Sequence, residues 1–184
     1  MRRKSLIDLN DLESSIVEVY NNYYLEVFRF LVCFTGNQND AEDLTQEVFI
    51  RVLKNLNNFK SDYNLKTWIF SIAKHVAVDH YRKKRFFSVF KDGFFTQLES
   101  NGKKPDEEVE INEMEQFVHE TVSKLKPNFR AVVILRGINE FSVKETADIL
   151  QCSESKVKVD YHRALKELKR KMNIAIEEVL PNAK

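Results

Sequence analysis

A basic face on the last helical segment of the chain is the feature best suited to binding a polyanion. At about 100° per residue, the apolar residues of this segment form one stripe, and Lys, Arg and His collect opposite. The outer face comprises Ser155, Lys156, Lys158, Val159, His162, Arg163, Lys166 and Arg170. Because Lys and Arg bind phosphate oxygens and donate hydrogen bonds to guanine, this face suits a nucleic acid.

The residues before this face predict how it is presented. Ser142 followed by Glu145 is a capping box that starts a helix over 143–150, and 151–153 is a short turn before the basic helix. A short helix, a tight turn and a longer basic helix predict a helix-turn-helix, whose second helix enters the major groove of duplex DNA. The alternative is a plain helical hairpin whose basic side is only solvated.

A second candidate surface lies on the helix predicted over 67–85. Aromatic, basic and acidic side chains recur on one exposed face of it, and a polar loop precedes it. Such a face suits unpaired nucleotides, because bases stack on the rings while cations follow the phosphates. The candidate residues are Tyr63, Asn64, Lys66, Trp68, Lys74, His75, Asp79 and Arg82. The alternatives are a Trp that belongs to the core and a solvated basic helix end.

Composition limits both the fold and the chemistry. The chain has 184 residues with 4 Gly and 3 Pro, too few for the turns of a sandwich or barrel, so we expect an all-α fold. Cys33 and Cys152 lie far apart without a CxxC or a paired His, so we expect no metal site; no cofactor motif is present either. No apolar run reaches the roughly 18 residues of a membrane helix, so we expect a cytoplasmic protein without membrane insertion.

Charge is segregated along the chain, although the net charge is only +1. It is −6 over 8–59, +6 over 60–91 and −7 over 92–120. With the loss of helical period after residue 85, this pattern predicts two small helical domains joined by an irregular acidic and aromatic linker. The predicted boundaries are 12–88 for the first domain, 89–110 for the linker, 111–174 for the second domain and 175–184 for a tail of unassigned role.

Apolar periodicity predicts the other helices and a polar face on one of them. These helices run over 12–35, 40–57, 67–85 and 127–136, the last ending at Gly137 as a C-terminal cap. The side chains opposite the apolar stripe of the second helix include Asp43, Gln46, Glu47 and Ile50. The acidic character of this segment suits a basic protein partner.

Taken in order, these segments resemble the extracytoplasmic-function sigma factors, the compact two-domain members of the sigma-70 family. The resemblance rests on DAEDLTQEVF at 40–49, TWIFSIA at 67–73 and the helix-turn-helix that ends in HRA at 162–164. It implies a protein that joins bacterial core RNA polymerase and directs promoter recognition, strand opening and transcription initiation.

The resemblance also implies partners and contact residues. The DLxQE segment would dock on the coiled coil of the largest polymerase subunit, and the second domain on the flap of the second-largest. The docking residues would be Asp43, Leu44, Gln46, Glu47 and Ile50, with Leu44 on the inward side of its helix. An anti-sigma protein would hold the chain inactive.

The same resemblance assigns the two nucleic-acid surfaces to two promoter elements. The loop and helix over 63–82 would recognise the minus-ten element as an unwound strand. The residues implied in reading the minus-thirty-five duplex are Ser155, Lys156, Lys158, Val159, His162, Arg163 and Lys166. The sequence departs from the family pattern at Gln151, where Gly is common, at His75, where Asn is frequent, and at Asp160, usually basic.

Two other classes of function fit parts of the sequence. An autonomous helix-turn-helix regulator would explain the C-terminal segment but would leave the acidic segment and the aromatic–basic helix unexplained. An enzyme acting on nucleic acid would need a carboxylate cluster with metal spacing, an HxE…CxxC motif or a Gly-rich nucleotide loop, none of which the sequence contains. We therefore expect no catalytic residues.

Overall fold

The computed structural model of the chain describes residues 9–56, 59, 64–94 and 113–179, and every regular element among them is a helix. The all-α prediction is thus confirmed. The first half of the chain contains α1 (Leu9–Thr35), α2 (Gln38–Asn55) and α3 (Leu65–Phe94). The second half contains α4 (Glu113–Ser123), α5 (Pro127–Val133), a π-helical turn (Ile134–Ile138), α6 (Val143–Leu150) and α7 (Glu154–Val179).

Local signals in the sequence determine several helix ends. α1 ends at Gly36, whose φ of 68° is a conformation that glycine adopts without strain. Asn37 then caps α2, because its side-chain oxygen accepts a hydrogen bond of 2.8 Å from the backbone N–H of Asp40. The predicted capping box is confirmed: Ser142 Oγ accepts from the Glu145 N–H, and the Glu145 carboxylate accepts from the Ser142 N–H.

Two helices run further than the periodicity predicts. α3 continues to Phe94, although we expected the helix to end at residue 85 and an irregular linker to begin at 89. No proline interrupts this stretch, and its residues tolerate a helix even without a clear apolar stripe. α7 likewise continues to Val179. The predicted linker beyond residue 94, Tyr63 and the end of the tail lie outside the described residues.

The end of the α5 segment corrects a second expectation. Gly137 is not a left-handed cap; the backbone there widens into the π-helical turn, in which the Asn139 N–H donates to the Ile134 carbonyl at 2.9 Å. The left-handed residue is Glu140, with a φ of 57°. The chain therefore reverses three residues later than predicted, immediately before Phe141.

The two halves of the chain share one continuous apolar core. α4 packs on α1, and α6 packs along α3. The largest buried side chains of this core include Phe30, Phe34, Phe70, Leu125, Ile134, Leu135 and Ile149. In this arrangement the second half is therefore held against the first by packing as well as by chain connection.

The Arg130 side chain is the principal polar tie between the halves. It is only 5% exposed, and its Nη1 donates to the carbonyl of Phe34, at the end of α1, at 2.5 Å. Nη2 donates to the carbonyls of Ser123, the last residue of α4, and of Leu125 just beyond it. The guanidinium also lies 5.2 Å from the centre of the Tyr81 ring. Burial lowers the pKa of Arg130, but the cation is favoured where two helix C-termini present unpaired carbonyls.

We expect Arg130→Met to lower the free energy of unfolding by about 3 kcal/mol, because several buried carbonyls lose a charged donor. Arg130→Lys is the matched control. It keeps the charge but cannot reach all three carbonyls, so its stability should fall between that of the parent chain and that of Arg130→Met. Urea denaturation of the full chain measures both. A methionine variant as stable as the parent would contradict the assigned role.

Candidate nucleic-acid interface

The side chains predicted to read duplex DNA are all exposed on α7. This basic face comprises Ser155, Lys156, Lys158, Val159, His162, Arg163 and Lys166. On the opposite side Val157 and Ala164 are buried, which anchors the helix. The apolar stripe of this segment predicts that Leu165 is buried too, but it is 41% exposed because it lies at the edge of the stripe. An exposed valine among cations can contact a thymine methyl group.

The turn between α6 and α7 is made without glycine. Gln151 itself adopts the left-handed conformation, with φ 55° and ψ 50°. The next N–H, from Cys152, donates back to the Ala147 carbonyl at 3.0 Å and closes α6. Ser153 then caps α7, because its Oγ accepts from the Lys156 N–H at 3.2 Å. The departure at position 151 therefore leaves the helix-turn-helix geometry intact.

Asp160 is paired within its own helix. Its carboxylate accepts a hydrogen bond of 2.6 Å from the Lys156 Nζ, one turn earlier. This hydrogen bond and the opposite charge raise the pKa of Lys156. Since the Lys156 ammonium is already paired, the carboxylate at position 160 offsets one positive charge of the face, while Lys158, Arg163 and Lys166 remain exposed.

The face of α3 predicted to bind an unpaired strand is brought together only in part. Asp79 and Arg82 are exposed, but Trp68 and His75 are half-buried, which corrects the expectation of an open face. The Trp68 ring lies 5.0 Å from the Phe59 ring, and the His75 Nδ1 lies 2.6 Å from the Ser71 carbonyl. The Trp68 indole therefore belongs partly to the core, which was one of the two alternatives to a face that binds nucleotides.

The polar residues at the start of this face are engaged with other elements. The Lys66 Nζ lies 2.5 Å from the Glu26 carboxylate and 5.3 Å from the centre of the Phe141 ring. Asn64, although exposed, caps α3 by accepting from the Thr67 N–H at 3.2 Å. Burial, together with the charge of Arg82, lowers the pKa of Lys74. Tyr63 lies outside the described residues.

The polar face of α2 is exposed as predicted, with one exception. Asp43, Gln46 and Glu47 are exposed, and Ile50 is 51% exposed, an unusual environment for isoleucine. Leu44 is only 6% exposed and belongs to the core, so it cannot contact a partner directly. The Glu47 carboxylate lies 2.5 Å from the Arg51 Nη2 on the same helix, a pair that water screens.

Two exposed apolar residues near this face were missed by the sequence reasoning. Leu53 follows Ile50 by three positions and is exposed on the same side of α2. Tyr20, on α1, is exposed with its ring 4.9 Å from that of Phe49. Leu53 could have been identified from the sequence, because it is an apolar residue at a position where the helical period of α2 predicts a polar one. Nothing in the sequence marks Tyr20, because aromatic residues are frequent all along α1.

Within the part of the chain that the structure describes, His, Cys, Asp and Glu side chains form no group that could hold a metal ion. No helix among the described residues is long and apolar enough to cross a membrane.

The two halves match two family models in the order that the sequence suggests. Sigma-70 region 2 matches residues 19–87, and Sigma-70 region 4 matches residues 118–168. The "ECF RNA polymerase sigma factor SigX" of Bacillus subtilis is 36% identical over 174 residues, which cover 92% of this chain and 89% of the relative. "RNA polymerase sigma factor YlaC" of the same organism is 33% identical over 89% of this chain and 95% of its own length.

The fold is also that of a solved sigma factor. RpoE of Bartonella quintana, in complex with the anti-sigma factor NepR, superposes with a TM-score of 0.69 at 21% identity, covering 87% of this chain and 98% of that one. The paired region 2 and region 4 segments define a protein of the sigma-70 class. Within that class, the chain belongs to the ECF RNA polymerase sigma factors. Its function is accordingly to direct promoter recognition and transcription initiation, and an autonomous regulator is not favoured.

The left-handed turn generates a stability prediction. Gln151→Gly should raise the free energy of unfolding by about 0.5–1 kcal/mol, because glycine removes the Cβ strain of the left-handed conformation at some cost in chain entropy. Gln151→Ala keeps a Cβ and should change stability little. Thermal unfolding of the two variants compares them directly, and equal midpoints for both would refute the strain at this position.

Proposed function

We propose that three faces of the chain make the three contacts that a sigma factor needs. The basic face of α7 reads the minus-thirty-five duplex, the 64–82 face of α3 with Tyr63 binds the melted minus-ten strand, and the polar face of α2 docks on core polymerase. The observation that supports this proposal is the exposure of every predicted contact on α7, the capped second helix of the helix-turn-helix.

On α7 the residues differ in what they can recognise. Arg163 carries a planar fork of donors that can bond guanine O6 and N7 together, whereas Lys158 and Lys166 present point charges suited to phosphates or a single acceptor. His162 and Ser155 add short polar contacts, and Val159 adds the apolar one. Arg163 is therefore assigned to base reading and Lys166 to the phosphate backbone.

On α2 the docking surface combines carboxylates with exposed apolar side chains. Asp43 and Glu47 supply negative charge, while Ile50 supplies apolar surface whose burial against a partner favours binding. Leu53 and Tyr20 extend that area toward α1. We assign Leu44 a supporting role inside the helix pair. A partner surface that is basic around an apolar centre matches this arrangement, as the resemblance implies for the coiled coil of the largest subunit.

The remaining assignments rest on the family. The chain acts as a non-catalytic subunit in the cytoplasm, where core polymerase and promoter DNA are present. The proposed domains, 12–88 and 111–174, contain both matched segments, and the second docks on the flap of the second-largest subunit. RpoE was solved with its anti-sigma factor NepR and CnrH with the cytosolic domain of CnrY, and the shared fold supports an anti-sigma partner here too.

Reversing the charge of the docking face tests the polymerase contact. Asp43→Lys with Glu47→Lys should weaken association with core polymerase about a hundredfold or more, because like charges then face each other across the contact. The matched control is Glu18→Lys with Glu120→Lys, which makes the same charge change at exposed sites elsewhere. Core pull-down with retained helicity by circular dichroism is the measurement. If both double variants bind core polymerase equally well, the assignment of this face to polymerase docking is wrong.

Substitutions on α7 separate base reading from phosphate contact. Arg163→Ala in holoenzyme should relax preference at one or two base pairs, a loss of about 1–3 kcal/mol of discrimination. Lys166→Ala should instead weaken all sequences about equally and lower the salt dependence by about one charge. Selection from a library randomised in the upstream element measures both. An unchanged sequence profile for Arg163→Ala would remove its base-reading role.

A further inference from the structure

A cleft lies between the later turns of α3 and the start of α5. It has a volume of about 750 Å³, which is within the range of small-molecule pockets. Residues 78–86 of α3 supply one wall, and residues 126–129 supply the other. Of its described lining residues, only Arg82 belongs to a face assigned above. The cleft is therefore large enough for a nucleotide and is largely distinct from the surfaces already discussed.

Cationic side chains stand on both walls of this cleft. Arg82 and Arg85 line it from α3 and Lys126 from the start of α5, and none of the described lining residues is acidic. The Arg82 Nη1 lies 4.0 Å from the carboxylate of Asp79, a long and exposed pair that leaves guanidinium donors for a ligand. A cleft lined by one sign of charge concentrates counter-ions. The walls therefore favour a ligand that carries several negative charges.

Aromatic side chains also line the cleft from both walls. Phe86 lines it from α3 and Phe129 from α5, and Phe86 is 60% exposed, an unusual environment for phenylalanine. Nucleobases stack on such rings, whereas a simple inorganic anion gains nothing from them. The amide of Asn128, exposed on the α5 wall, carries both donors and an acceptor for the edge of a base. Cations and rings together point to a ligand that is both anionic and aromatic.

The Arg130 side chain fixes the distance between the two walls. Arg130 directly follows Phe129, and its hydrogen bonds hold the start of α5 against the end of α1. Its guanidinium also lies 5.2 Å from the centre of the Tyr81 ring, which lines the cleft from α3. Because this arginine is buried and bonded to several carbonyls, the cations and rings are already placed before a ligand arrives. A preorganised site loses less entropy on binding than a flexible surface does.

We propose that this cleft binds a purine nucleoside polyphosphate. The base stacks on Phe86 and Phe129, and the phosphates bind Arg82, Arg85 and Lys126. Arginine matches phosphate oxygens with pairs of N–H groups, and lysine adds a point charge. These cations surround one cleft instead of following a groove, so they suit the clustered charge of a polyphosphate better than the spaced phosphates of a nucleic-acid strand.

Isothermal titration calorimetry of the full-length chain tests the class of ligand. The probes are ATP, GTP, inorganic tripolyphosphate, which has the charge without the base, and adenosine, which has the base without the charge. ATP or GTP should bind about tenfold or more tightly than tripolyphosphate, because only the nucleotides stack on the rings. Adenosine should bind more weakly than either nucleotide. Failure of both nucleotides to bind, or equal affinity for tripolyphosphate or for adenosine, would overturn the proposal.

Two matched pairs of variants locate the site, with retained helicity checked by circular dichroism. Lys126→Glu should weaken nucleotide binding about tenfold or more, whereas Lys124→Glu makes the same charge change at an exposed residue that does not line the cleft. Phe86→Ala should weaken it about fivefold, whereas Phe87→Ala removes a similarly exposed ring outside the lining. If each control loses as much affinity as its partner, the cleft is not the binding site.

Photolabelling and competition distinguish a nucleotide from a nucleic-acid strand. Light-activated 8-azido-ATP should label peptides from both walls, within 78–86 and 126–129, and mass spectrometry reads out the labelled positions. Labelling confined to other parts of the chain would contradict the assigned site. A pool of random single-stranded DNA is the competitor. If this DNA displaces ATP, and Lys126→Glu and Phe86→Ala weaken binding of DNA and of ATP alike, the cleft is a strand site and the nucleotide proposal is wrong.

Discussion

The arrangement of the whole chain depends on one buried cation placed between two helix ends. α1 and α4 both finish with carbonyls that have no partner inside their own helices, and in the interior these would be costly to leave unpaired. Arg130 donates to carbonyls of both helix ends while lying against aromatic rings. Because a single planar group serves both helix ends, the start of the second half can sit in only one way on the end of the first.

That constraint brings α6 onto α3. As a result, the three candidate surfaces differ in how accessible they are. The outer faces of α2 and α7 point away from the junction between the halves and remain exposed. The face of α3 points toward the junction and is half-buried. The outer faces of α2 and α7 can therefore be approached freely in this arrangement, whereas α6 limits access to the face of α3.

The parts of this picture that were predictable from sequence are the local ones. The capping box at Ser142, the stripes of α2 and α7 and the exposed basic face follow from residues within a few positions of each other. The contacts that sequence reasoning missed are long-range: Arg130 and Phe34 are 96 residues apart, and Phe141 reaches back to Phe70. Trp68 and His75 were expected to be exposed because helical periodicity describes one helix in isolation. It contains no information on which other helix will cover a polar face.

The loop that carries Phe141 is also tied to α7. Arg136 donates to the Phe141 carbonyl, and its guanidinium lies 5.7 Å from the centre of the Tyr161 ring on α7. The turn lies directly beside α7, since a Cβ at Gly137 would be in ordinary contact, at 3.5 Å, with the Tyr161 hydroxyl. Phe141, the π-helical turn and α7 are therefore joined by direct contacts through Arg136. The contacts that shape the start of the exposed α7 face therefore lie within the second half of the chain itself.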